Sequence, residues 1–297
     1  METIQQSTQP IVNVQTFDNI DAVNHKDLWW KLLYTLFTAT ALAYLYARRK
    51  DNRMLHLVKP LPVLILGYVV LLWCSVHHVG MSSLFHLIVP HKPSDYAVYI
   101  SIGLFLSAIG DLLLIFDKYF VHGIIFFLTA HLSFILAFTA ESDSLTQFFT
   151  PLVVVILVGF NIFFVYLFIT KVVPLFVHTT PTSIVIALFF YMAVIITMCY
   201  TASLKALTKV AQLWELSSSV SHTLTIYSCC GAIGAVLFFI SDLMILIREM
   251  NALKKNKVST FRRFLGNGDV GMITYWLGQF CIALSVTSIF NVLKELS

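Results

Sequence analysis

Residues 101–116 read SIGLFLSAIGDLLLIF, an apolar run interrupted by one carboxylate, Asp111. Apolar residues continue on its N-terminal side, so Asp111 stands inside a segment near 96–116, about as long as a helix needs to cross a bilayer. Residues 229–248 repeat the arrangement around Asp242. Both segments contain a small residue followed by Asp and Leu, as Gly110-Asp111-Leu112 and Ser241-Asp242-Leu243.

The rest of the chain suits these two segments. Of 297 residues 58% are hydrophobic and only 11% charged, 25 are Phe, and the mean hydropathy is +0.84. Such a composition excludes a soluble domain. In lipid every backbone polar group must be paired internally, and the Gly and Pro pattern does not suit barrel strands, so the spans are helices. We place them near 28–47, 61–79, 96–116, 122–140, 148–170, 182–203, 229–248 and 270–292. The expected fold is all-α, a polytopic membrane bundle of about eight transmembrane helices in one domain, 28–297. Residues 1–27 are polar and read as a disordered tail, and the polar, Ser-rich stretch 204–228 reads as a connector with room for a short surface helix.

Lys and Arg crowd into two loops, 48–59 and 248–263, which an eight-span topology places on one side with Lys118 and Lys171. The positive-inside rule makes that side cytosolic and leaves both termini on the other. Basic charge confined to loops argues for topology and against nucleic-acid binding. The five cysteines lie in or beside apolar runs without Cys-x-x-Cys spacing, and read as lipid-facing or packed thiols.

An Asp near the middle of a helix in lipid costs about 2.5–3.5 kcal/mol on insertion scales, so it usually faces the bundle interior with a partner. The plain alternative is that each Asp hydrogen-bonds a neighbouring helix or sits near enough to the interface to be hydrated. Two at similar depth point further, because carboxylates meeting in a low dielectric retain a proton between them and so supply an acid and a base. His131 stands amid Leu128, Phe134 and Ile135, as a participant or a structural donor, with no ligand at i+4 to make a metal site. Tyr275 and Gln279 share one helix face, suited to a carboxylate, to a headgroup or to gluing helices together. Lys59 and His122, with Lys118, lie at the expected cytosolic edge, where a lipid phosphate could be held or where cations simply snorkel. A nucleophile elbow, a Cys beside a plausible His, a zinc-protease His-Glu-x-x-His and a phosphate-binding loop are all absent.

Gly103-Leu-Phe-Leu-Ser-Ala-Ile-Gly-Asp111, then Tyr119-Phe-Val-His122-Gly123 and His131, resembles the YhhN-like family, the lysoplasmalogenases. Gly234-Ala-Val-Leu-Phe-Phe-Ile-Ser-Asp242 is similar to the family's second aspartate motif, Thr274-Tyr275-Trp-Leu-Gly-Gln279 to its final-helix motif, and Lys59-Pro60-Leu61-Pro62 to its motif before the second span. The resemblance runs from about 55 to 290. It implies an eight-helix enzyme, without metal or cofactor, in the endoplasmic reticulum membrane. Its partners would be membrane lipid and a lysoplasmalogen substrate, whose vinyl ether bond it hydrolyses to a fatty aldehyde and glycerophosphoethanolamine or glycerophosphocholine. By motif, Asp111 and Asp242 would be catalytic, with His131, Tyr275 and Gln279 orienting groups or lining the pocket and Lys59 at its edge. Phe134 stands where a Tyr is expected three residues after the His, and Trp276 where a second Tyr is common.

Vinyl ethers hydrolyse by protonation at carbon, giving an oxocarbenium ion that water attacks; the hemiacetal then collapses to aldehyde. A protonated Asp would deliver the proton while the other carboxylate stabilises the cation and activates water, either Asp in either role. Three other classes compete. An intramembrane aspartyl protease would need Gly at Ala108. A proton-coupled transporter would show inverted repeats and broken spans. A non-catalytic lipid-binding or regulatory relative would keep the motifs without turnover.

Overall fold

The computed structural model describes residues 15–50, 53–76, 93–140, 151–176, 182–214, 220–253 and 267–296. They form eight helices and, among the described residues, no strand. The helices are α1 (Gln15–Arg49), α2 (Leu61–Val76), α3 (Pro93–Leu113), α4 (Phe120–Thr139), α5 (Pro151–Leu167), α6 (Thr182–Trp214), α7 (Val220–Leu253) and α8 (Gly268–Leu296). The fold is the expected polytopic bundle. Among the described residues five segments are long and apolar enough to cross a membrane: Asp95–Leu113, Phe120–Thr139, Val185–Ala211, Cys229–Arg248 and Gly268–Val286.

Helix starts follow the backbone chemistry. Pro93 opens α3 where its missing N–H is not needed, and Asp95 in the first turn favours the positive end of the dipole. The Asn267 side chain accepts the Asp269 N–H at 2.9 Å and so caps α8. α5 continues through a π-helical turn, Phe168–Val172, into Val173–Phe176, where Pro174 can donate no helical hydrogen bond. Inside the spans Thr129, Thr197 and Thr201 return their hydroxyls to the carbonyl four residues back, which leaves no bare donor facing lipid.

Several boundaries differ from the sequence reading. α1 begins at Gln15, inside the stretch expected to be a disordered tail. α6 runs to Trp214 and α7 starts at Val220, so the described parts of the 204–228 connector are helical. Both differences arise because polar helix extending beyond the hydrocarbon carries no hydropathy signal. α3 stops at Leu113, three residues before the expected 116. Residues 77–79 of the second expected span and 254–263 of the second basic loop fall outside the described residues. Cys199, Cys229, Cys230 and Cys281 are free thiols.

The most extensive helix contact joins α7 to α8, followed by α3 with α4 and α6 with α7. α7 and α8 approach closely because a Cβ on Gly234 would lie 2.6 Å from the Gly278 carbonyl oxygen, and one on Gly278 only 2.9 Å from that of Gly234. Small residues at a crossing let two backbones pack without side chains between them. The end of α1 meets the start of α8 through Arg48 and Asp269 at 3.4 Å. The ends of α1 and α3 and the starts of α2 and α8 therefore share one end of the bundle. Lys205, within α6, keeps its ammonium 3.6 Å above the Tyr96 ring, a cation–π contact.

Candidate functional site

Asp111 projects into the bundle two residues before α3 ends. Gly110, just before it, faces Gly123 and Phe127 of α4, where a Cβ would collide with the Phe127 ring. That close crossing turns Asp111 inward. Its side chain is 1% exposed; Oδ1 lies 3.0 Å from the Lys59 ammonium and Oδ2 accepts the Tyr275 hydroxyl at 2.8 Å. Lys59 comes from the turn before α2 and Tyr275 from α8, so three segments distant in sequence build this carboxylate's surroundings.

Asp242 sits on α7 after Ser241, whose hydroxyl donates to the Gly271 carbonyl at 2.9 Å and holds α8 close. Its Oδ2 accepts the Tyr191 hydroxyl at 2.5 Å. His131 Nε2 lies 3.1 Å from the same Tyr191 oxygen and 3.9 Å from Asp242 Oδ2. The Tyr191 hydroxyl has one hydrogen, and Asp242 receives it. His131 Nε2 is therefore the donor toward Tyr191, and in the neutral ring Nδ1 is left as an acceptor.

Each carboxylate thus has its own tyrosine. Phe238 packs against both groups, its ring centroid 5.1 Å from that of Tyr275 and 4.6 Å from that of His131. Asp242 lies within coulombic reach of both Asp111 and Lys59. The Gln279 amide approaches the Tyr275 hydroxyl, yet neither its nitrogen nor its oxygen reaches hydrogen-bond geometry with a protein partner.

Of the residues singled out in the sequence, Asp111, Asp242, His131, Tyr275, Gln279 and Lys59 converge. His122 does not: it is exposed at the start of α4, edge-on to Tyr119. Phe134 packs against Gly103, one turn past His131. Trp276 turns toward α1, where its ring meets Tyr44 edge-on at 5.5 Å, about 100° around α8 from Tyr275. Sequence reading missed Tyr191. The signal available was a tyrosine hydroxyl inside a span, which needs a hydrogen-bond partner once buried.

The chain matches the YhhN family over residues 54–286. It belongs to the YhhN family. A curated relative from Dictyostelium discoideum, named a lysoplasmalogenase homolog, is 51% identical over 289 residues, covering 95% of this chain and 94% of its own. No solved structure matches. The YhhN match spans α2 to most of α8, and every converging residue lies within it.

Proposed function

We propose that this YhhN protein is a lysoplasmalogenase, hydrolysing the vinyl ether bond of a single-chain alkenyl glycerophospholipid with its two aspartates. The observation carrying the reading is the unequal pair: Asp111 is matched by the Lys59 ammonium, whereas Asp242 has no Lys or Arg within salt-bridge distance among the described residues. Compensation by Lys59 makes Asp111 the carboxylate that stays charged and stabilises the oxocarbenium ion. Asp242 is then the proton donor to the alkenyl carbon.

The surroundings suit such a substrate. A small apolar cleft between α1, α2 and α8 is lined by Tyr34, Leu66, Val70, Phe280 and Ala283, and its lining suits the start of an alkenyl chain that continues into the surrounding lipid. Lys59 at the bundle end lies toward the headgroup, and the basic loops 48–59 and 248–263 face the cytosol, in the endoplasmic reticulum membrane. The name carried by the 51% identical relative supports the same activity. The test is aldehyde release from a lysoplasmalogen by purified protein in detergent, beside Asp111→Asn and Asp242→Asn. Loss of turnover in both variants is expected. Full activity in both, or none in the wild type, would sink the reading.

A further inference from the structure

Four buried polar atoms lack a protein partner on the membrane-interior side of the Asp111–Tyr275 bond: Ser107 Oγ, His131 Nδ1 and both amide atoms of Gln279. All three residues have 0% of their surface exposed. They belong to three different helices, and the helix register brings them to one level.

Ser107 lies one turn before Asp111 on α3, and Gln279 one turn after Tyr275 on α8. α3 ends, and α8 begins, at the same end of the bundle, so the two helices run in opposite directions. From the Asp111–Tyr275 bond, both steps therefore move the same way, about 6 Å into the membrane at 1.5 Å per residue. α4 is also antiparallel to α3: Gly110 faces Gly123 and Phe127, and Gly103 faces Phe134. Ser107, between those two glycines, is level with the stretch between Phe127 and Phe134, which contains His131.

Buried polar groups are almost always satisfied, so unpaired ones on three adjoining helices mark a place for a polar occupant. The groups define it. His131 Nδ1 accepts, the Gln279 amide both donates and accepts, and the Ser107 hydroxyl does either; a water molecule, with two hydrogens and two lone pairs, matches them.

We propose that Ser107, His131 and Gln279 hold the water that attacks the substrate, and that His131 and Tyr191 return its proton to Asp242. The proposal rests on the hydrolase reading. Asp242 gives its proton to the alkenyl carbon remote from the ether oxygen, and the π electrons form that C–H bond. Water oxygen bonds the resulting cationic carbon beside the ether oxygen. The proton it sheds goes to Nδ1, the Nε2 proton passes to Tyr191, and the Tyr191 proton restores the Asp242 acid. The hemiacetal collapses as its hydroxyl proton moves to the departing glycerol oxygen and the C–O bond breaks. The imidazole regains its Nε2–H form by exchange with water, so protons balance over the cycle.

The test uses the full chain in detergent with a lysoplasmalogen and four proteins: wild type, Ser107→Ala, Gln279→Met and Tyr191→Phe. Each variant should lower kcat by about 10-fold or more and leave KM within about twofold. Methanol as a competing nucleophile supplies a signature that a merely structural role would not move. Removing Ser107 Oγ or the Gln279 amide should raise the share of mixed acetal over aldehyde. A high-resolution structure of the wild type should show an ordered water within hydrogen-bond distance of at least two of the three side chains. Unchanged kcat in both Ser107→Ala and Gln279→Met, an unmoved acetal share, or side chains paired with protein instead of water would each overturn the proposal. Ordered water in a wild type that releases no aldehyde would overturn the hydrolase reading and the attacking role while leaving the water site standing.

Discussion

α3 and α7 carry the same local signal and build different carboxylates. In each, a small residue before the Asp draws a neighbouring helix close, Gly110 against α4 and Ser241 against Gly271 of α8. Beyond that the two diverge. Asp111 is 1% exposed and ion-paired; Asp242 is 11% exposed, accepts the Tyr191 hydroxyl and has His131 at longer range. A shared triplet therefore fixes that a carboxylate faces the interior, while neighbours from distant segments fix what charge it can carry.

The largest expected break in this comparison is catalytic. Asp242→Asn should lower turnover by roughly 10²–10⁴-fold, the scale of a lost general acid, with thermal stability in detergent nearly unchanged. Rates of aldehyde release and a melting curve check both halves.

Charge compensation separates the two aspartates next. Lys59→Met leaves Asp111 buried and unpaired and should cost about 3–5 kcal/mol of stability, as expected for a broken buried pair. The double variant Lys59→Met with Asp111→Asn should recover much of that loss. A single variant as stable as wild type in a denaturation series would mean Asp111 is not charged, erasing the asymmetry.

Helix approach is the feature the two regions share, and Gly278→Leu attacks it on the α7 side. The added side chain meets the Gly234 carbonyl and the backbone of Phe238, so a loss of about 1–3 kcal/mol is expected. Gly159, with nothing within 4 Å of a built Cβ, gives the control, and Gly159→Ala should change the melting temperature little.

The smallest effect on catalysis is expected at Trp276, because its ring packs on Tyr44 of α1. Trp276→Phe should alter KM and kcat by less than about threefold while costing about 3 kcal/mol or less through lost packing. A large change in kcat would bring this departure from the family pattern into the site.

Much of the fold was legible because lipid imposes a strong rule: apolar runs of span length must be helices with their hydrogen bonds internal. The same rule hid the polar ends of α1, α6 and α7, which extend as helix where hydropathy has stopped changing. Asp111 and Asp242 were legible because a carboxylate in such a run is costly. Tyr191 and Ser107 were not, since a tyrosine or serine in a span is cheap and common and nothing local distinguishes one facing a carboxylate from one facing a neighbouring backbone.

The sequence by itself determined the helices, their number and the two carboxylates among them, since each depends on the free energy of a single segment in lipid. Only the tertiary structure decided that Lys59 pairs with Asp111 and not Asp242, that Tyr191 joins His131 to Asp242, and that Phe238 packs against both groups. Those facts depend on how helices far apart in the chain cross, and that is set by glycine contacts and side-chain volumes at several interfaces together.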